Sequence, residues 1–80
     1  MKLHRLLANA ALAGFTVKPI ANGGYQIYRA NRVTGHISKG VWICTDVNDN
    51  FVNATRMDVD LSLTITIRTV TACAKLLGVR

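Results

Sequence analysis

The residues of this chain best suited to chemistry are cations and aromatic rings that lie close together in the sequence. Arg29, Arg32 and Lys39 run through a predicted strand and the connection after it, with Tyr28 and Trp42 on either side. Positive side chains neutralise phosphates and release counterions, while aromatic faces stack on unpaired bases. These five residues predict a contact with nucleic acid, either DNA or RNA. The function they favour is that of a small basic regulator of the kind carried by phages and mobile elements.

The acidic residues predict a different partner. All four carboxylates, Asp46, Asp49, Asp58 and Asp60, fall in one stretch, whereas the ten lysines and arginines are spread over the whole chain. Such an acidic patch is complementary to a basic protein surface, for example a nucleic-acid channel. The alternative prediction is therefore a phage-type inhibitor that binds a host protein through residues 46–60.

The sequence predicts binding without catalysis. His4 lies on a predicted helix and His36 in a polar connection, and neither has a neighbouring group that would make it a general base. Residues 46–50 offer several oxygen atoms but lack the spacing, the turn glycine and the closing glutamate of a calcium loop. We therefore expect no catalytic residue, no metal and no cofactor.

Length and composition predict one folded domain over residues 1–80. Half of the residues are apolar, and the mean hydropathy of +0.24 argues against disorder despite a net charge of +6. The basic and apolar N-terminus has the outline of a signal peptide, but its apolar run is short and contains Asn9. We therefore expect the first helix of a cytoplasmic protein. No stretch approaches the roughly 18 apolar residues of a membrane span. Cys44 and Cys73 are expected to be reduced thiols, with a single disulfide as the alternative. The apolar content leaves a homodimer open.

The first half of the chain predicts one helix and three strands. Apolar residues recur from Leu3 at helical spacing, and Gly14 is placed to end that helix. A strand over residues 15–20 should turn at Asn22-Gly23-Gly24, because such residues accept the positive φ angles of a tight hairpin. Further strands are predicted over residues 25–30 and 41–45, with a basic connection over residues 31–40.

The last third of the chain fits two patterns. Apolar residues alternate strictly from Met57 to Ile67, as in a strand. A second, overlapping set fits helical spacing, namely Leu63, Ile67, Val70, Ala74 and Leu77. We predict a helix over residues 62–77, begun by Asp60 or Ser62 and ended by Gly78, with a strand over residues 57–61 left open. The fold class is then α+β: a three-stranded antiparallel sheet with an N-terminal and a C-terminal helix on one face.

Two stretches of the chain resemble the HicA-type family of small mRNA-interferase toxins. The first runs from Leu6 through Gly23-Gly24-Tyr25-Gln26-Ile27-Tyr28-Arg29, and the second runs from Ile67 to Val79. The resemblance implies a helix, three strands and a helix, the arrangement of double-stranded-RNA-binding domains, and contact with nucleic acid. The family carries its catalytic histidine at the start of the second strand, where this chain has Tyr25 and Gln26. Nuclease activity is therefore not expected.

Overall fold

The computed structural model describes residues 1–57 and 66–80. Over these residues the chain is α+β, with a four-stranded antiparallel sheet and one helix toward each end. The strands lie side by side in chain order, so each pairs with its neighbours in the sequence. The elements are α1 (Leu3–Leu12), β1 (Thr16–Pro19), β2 (Tyr25–Ala30), β3 (Ile37–Thr45), β4 (Phe51–Arg56) and α2 (Val70–Leu77).

The first helix confirms the prediction made from apolar spacing. Leu3, Leu6 and Ala10 are buried and recur at intervals of three and four residues. The helix ends where Gly14 adopts a φ of 92°, and the Phe15 N–H donates back to the carbonyl of Ala10 at 3.0 Å. Glycine permits this left-handed termination without steric cost. The chain therefore turns directly from α1 into β1.

The hairpin between β1 and β2 forms at the predicted Asn-Gly-Gly sequence. The Ile20 N–H donates to the carbonyl of Gly24 at 3.0 Å and closes the turn. Gly24 has a φ of 112°, and a Cβ at this position would lie 2.2 Å from the carbonyl oxygen of Ile43. Gly24 is therefore required twice, once by its backbone conformation and once by the close approach of β3.

The third strand is longer than predicted, because it begins at Ile37 rather than Val41. The connection before it is confined to residues 31–36, where the Asn31 N–H donates to the carbonyl of His36 at 2.8 Å. Asn31 Oδ1 also accepts the N–H of Val33 at 2.8 Å, as short polar side chains do in tight turns. The compact turn leaves residues 37–40 able to pair with β2.

The predicted three-stranded sheet is wrong, because β4 pairs with β3 as a fourth strand. The acidic connection is a tight hairpin in which Asp46 Oδ1 accepts the N–H groups of Asn48 and Asn50, each at 2.9 Å. In β4 only Ala54 is buried, and its neighbours Asn53 and Thr55 are polar. A strand with so small a buried residue has little hydrophobic signal in the sequence.

The second helix begins later than predicted. It starts at Val70, after Thr69 Oγ1 accepts the N–H of Ala72 at 3.1 Å, and it ends at Gly78 as expected. Residues 66–69 precede the helix, and among them Ile67 exchanges backbone hydrogen bonds of 2.7 and 2.8 Å with Ala54. The helix prediction is therefore wrong for residues 66–69. The described residues do not include residues 62–65 of the predicted helix, its predicted N-terminal caps Asp60 and Ser62, or residues 58–61 of the predicted strand. Neither described helix is long and apolar enough to cross a membrane.

The core lies between the helices and one face of the sheet. Ile27, Val41 and Ile43 are fully buried, and strand alternation places them on the same face as Ala54. They form one cluster with the buried residues of both helices, which are Leu3, Leu6, Ala10, Val70, Cys73, Ala74 and Leu77. The opposite face of the sheet is called the outer face here. Its strand residues include Thr16, Lys18, Gln26, Tyr28, Gly40, Trp42, Cys44, Asn53 and Thr55. Ile37 also reaches this face, with Cγ2 3.2 Å from the position of a Cβ on Gly40.

Candidate nucleic-acid interface

One row of the outer face runs across all four strands. Lys18 pairs with Gln26, Gln26 with Trp42, and Trp42 with Thr55. Residues directly opposite each other on neighbouring antiparallel strands have Cβ atoms about 4.5–5.5 Å apart. Lys18 is exposed, and the indole of Trp42 is 43% exposed although it lies in the middle of the sheet. The row therefore places a cation, an amide and an aromatic ring side by side on an accessible surface.

Tyr28 lies in the next row, diagonally beside Trp42. Its cross-strand partner is Gly40, and a Cβ at Gly40 would lie 3.0 Å from Tyr28 Cβ and 3.2 Å from Met57 Cβ. Gly40 thus leaves room for the side chains that close over it. Diagonal neighbours on a sheet are roughly 7–8 Å apart. Tyr28 and Trp42 therefore occupy diagonal positions on the outer face, where Tyr28 is half-buried and Trp42 is exposed.

The polar side chains beside Trp42 have unused hydrogen-bonding groups. Within residues 1–57 and 66–80, the side chains of Gln26 and Thr55 form no hydrogen bond, and the same holds for Asn53 one row away. Most polar side chains of a folded protein bond to protein or to water. Of these three, Gln26 and Thr55 are the direct cross-strand partners of Trp42 and are available to a ligand that lies on the indole.

Arg29 and Lys39 lie on the opposite, helix-bearing face of the sheet. They are cross-strand partners, yet each extends to the end of a helix. Arg29 Nη2 donates to the carbonyl of Ala13 at 2.9 Å, beyond the last turn of α1. Lys39 Nζ lies 3.6 Å from the position of a Cβ on Gly78, the residue that ends α2. Cations are favourable at helix C-termini because the backbone carbonyls there carry partial negative charge.

The five residues predicted to contact nucleic acid are therefore not one surface. Tyr28 and Trp42 share the outer face, Arg29 and Lys39 share the helix face, and Arg32 is exposed in the turn between β2 and β3. Residue type and spacing alone do not single out Lys18, Gln26 or Thr55. The alternation of β2 places Gln26 and Tyr28 on one face, but the positions of Lys18 and Thr55 depend on the pairing of all four strands.

The acidic residues that the structure describes form turns. Two backbone N–H groups, from Asn50 and Asn48, donate to the Asp46 carboxylate and lower its pKa. Asp49 has a φ of 63° and accepts the hydroxyl of Tyr25 at 2.8 Å, which raises the tyrosine pKa. Asp58 and Asp60 lie outside the described residues. Binding of a host protein through this segment stays a prediction.

The cysteine thiols and the side chains that could bind a metal do not cluster in the described part of the chain. Both cysteines are free; Cys44 is exposed on the outer face, whereas burial raises the pKa of the Cys73 thiol to about 11. Among the residues described, no three His, Cys or Asp side chains come together as a metal site would require.

Comparison with known proteins gave no match to any protein family, curated protein or solved structure. The resemblance to HicA-type toxins accordingly stays a prediction.

Proposed function

We propose that this protein binds single-stranded nucleic acid on the outer face of its sheet, without catalysis. The observation that carries the proposal is the placement of Trp42 and Tyr28 as diagonal neighbours on the face away from both helices. A tryptophan on a central strand normally has its indole buried, because burial of its large apolar surface is favourable. Here it is exposed and available to a flat partner.

Stacking by both rings explains why the ligand is single-stranded. Every base has a π-face, and stacking of one base on an aromatic side chain contributes about 1–3 kcal/mol. In a duplex those faces are already stacked within the helix, whereas in a single strand they can be splayed out. Diagonal positions on a sheet are roughly 7–8 Å apart, and rings at two such positions can hold the bases of two successive nucleotides.

Electrostatics supports the same ligand. The chain has a net charge of +6, which attracts polyanions over distances of about a Debye length. Lys18 is exposed at the edge of the row that contains Trp42. It is therefore the cation we assign to a phosphate of the bound strand, beside the bases on the aromatic rings.

The proposal is tested by comparing two lysines on opposite sides of the molecule. Lys18 lies on the outer face and Lys75 on α2, and both are exposed. For single strands, the logarithm of the binding constant falls with the logarithm of salt concentration by about 0.7 per phosphate contacted. Affinity for a short labelled oligonucleotide should be measured by fluorescence anisotropy between about 50 and 200 mM salt.

We expect Lys18→Ala to reduce this salt slope by about 0.7 and Lys75→Ala to leave it unchanged. A matching duplex should bind more weakly than the single strand, because its bases cannot reach the rings. The proposal is refuted if the two lysine variants behave alike, or if the duplex binds as tightly as the single strand.

A further inference from the structure

Gln26 is placed to recognise the edge of a base that lies on Trp42. It is the direct cross-strand partner of Trp42, and Tyr28 follows two residues later on the same face. Its amide makes no hydrogen bond in the part of the chain that the structure describes. Because directly opposite Cβ atoms are about 4.5–5.5 Å apart, an amide at this position is within reach of the rim of a base stacked on the indole.

From this geometry we infer that Gln26 determines base specificity and that the base it selects is adenine, an inference that rests on the proposed single-strand binding. Thr55, on the other side of Trp42, has a hydroxyl that can donate or accept and so discriminates little. An amide presents a donor and an acceptor at fixed positions next to each other. Of the two side chains, only the amide can discriminate between bases.

Adenine fits the amide on two edges. Its amino group lies between two ring nitrogens, so the amide can donate to N1 or to N7 while it accepts from the amino group in either case. Guanine shows two acceptors on its N7 edge, where the amide oxygen would be repelled, so that away from the sugar the amide matches only O6 with N1–H. Away from the sugar, each pyrimidine also offers one matching pair, which is N4–H with N3 in cytosine and O4 with N3–H in thymine, and a smaller face to the indole. The further pairs, N3 with N2–H in guanine and O2 with N3–H in thymine, lie beside the sugar, where the ring that carries the phosphates crowds the amide. Adenine is therefore the base with the most matching pairs away from the sugar.

The test uses four labelled deoxythymidine heptamers whose central base is adenine, guanine, cytosine or thymine. Affinity is measured by anisotropy at low salt for the wild type, Gln26→Ala and Gln26→Glu. Asn53→Ala is the matched control, since Asn53 is an amide on the same face that pairs with Cys44 rather than Trp42. Thermal unfolding of each variant verifies that the fold is kept.

We expect the wild type and Asn53→Ala to bind the adenine heptamer at least about fivefold more tightly than the thymine heptamer. Gln26→Ala should bring that ratio close to one. Gln26→Glu should shift the preference to guanine, because a carboxylate only accepts and guanine offers two adjacent N–H donors. The preference is measured as the ratio of the affinities for the guanine and adenine heptamers. Repulsion between the carboxylate and the phosphates weakens both affinities equally and therefore does not change this ratio.

The possible contrary results distinguish failure of this inference from failure of the proposed function. Equal binding of all four heptamers by the wild type, or an unchanged adenine preference in Gln26→Ala, overturns the role of Gln26 and leaves single-strand binding intact. No binding of any heptamer at low salt overturns single-strand binding and the role of Gln26 with it.

Discussion

The guanidinium of Arg29 lies over the ring of Phe15, with its central carbon 4.3 Å from the ring centre. The same side chain donates to the carbonyl of Ala13 at 2.9 Å. A cation over an aromatic face is attracted by the ring electrons, and a cation at a helix C-terminus is attracted by the backbone carbonyls. Arg29 therefore links β2 to the C-terminal end of α1 through these two contacts.

This contact predicts a stability effect for Arg29→Ala. Exposed cation–π pairs contribute about 0.5–1 kcal/mol and a charge at a helix end a similar amount. We expect a loss of about 1 kcal/mol in chemical denaturation, whereas Arg32→Ala in the neighbouring turn should change stability by less than about 0.5 kcal/mol. The salt slope of oligonucleotide binding should stay unchanged in Arg29→Ala. A slope lower by about 0.7 with unaltered stability would instead mean that Arg29 contacts a phosphate.

Gly24→Ala should be far more destabilising than Gly35→Ala. Both glycines have a positive φ, 112° at Gly24 and 75° at Gly35. A Cβ at Gly24 would lie 2.2 Å from the Ile43 carbonyl oxygen, whereas a Cβ at Gly35 meets nothing within 4 Å. We expect Gly24→Ala to cost more than about 3 kcal/mol and Gly35→Ala about 1 kcal/mol, measured by denaturant titration. Equal losses would show that the turn does not lie against β3.

The exposed thiol should report on occupancy of the outer face. Cys44 lies two residues from Trp42 on that face, while Cys73 is buried with a pKa of about 11. Thiols react as thiolates, so a thiol reagent near neutral pH should modify one cysteine quickly, and Cys44→Ser should remove that phase. Saturating single-stranded oligonucleotide should slow the reaction of Cys44. An unchanged rate at saturation would place the ligand elsewhere.

The free energy of unfolding should depend on pH through Asp46. Hydrogen bonds from Asn50 and Asn48 lower the pKa of Asp46 in the folded protein. The Asp46 carboxylate therefore binds a proton less tightly in the folded state than in the unfolded chain. The stabilisation is then present above the unfolded pKa of about 3.9 and is lost as the pH falls through the lower folded pKa.

Asp46→Asn isolates this charge, because an asparagine keeps a side-chain oxygen that can close the turn. We expect the wild type to be more stable than Asp46→Asn near neutral pH, and the difference to shrink toward zero below about pH 4. Denaturant titrations of both proteins across this range test it. A difference that stays constant with pH would mean that the charge of Asp46 does not contribute.

The elements that the sequence predicted correctly are those with local signals. Gly14 ends α1, and Asn22-Gly23-Gly24 forms the first hairpin, because both need only backbone conformations that glycine allows. β4 was missed because its buried residue is Ala54, which carries little hydrophobic signal. The start of α2 was misplaced because Ile67 fits a strand and a helix equally well, and pairing with Ala54 decides between them.

The candidate site could be predicted only in part for a related reason. Tyr28 and Trp42 were found from their residue types, and both lie on the outer face. Arg29 is the neighbour of Tyr28 in sequence, and strand alternation therefore directs it to the other face. Lys18 and Thr55 join Trp42 in one row only through the pairing of four strands. Such long-range register cannot be read from residue spacing within one strand.

The most direct test of the account is the fluorescence of Trp42, which is the only tryptophan of the chain. A base stacked on the indole should quench its emission, so titration with a short single-stranded oligonucleotide at low salt should give saturable quenching. Trp42 quenching and anisotropy of the labelled strand should yield the same dissociation constant, and salt should weaken both together. Binding seen by anisotropy with no change in Trp42 emission, or no binding at low salt, would contradict the account.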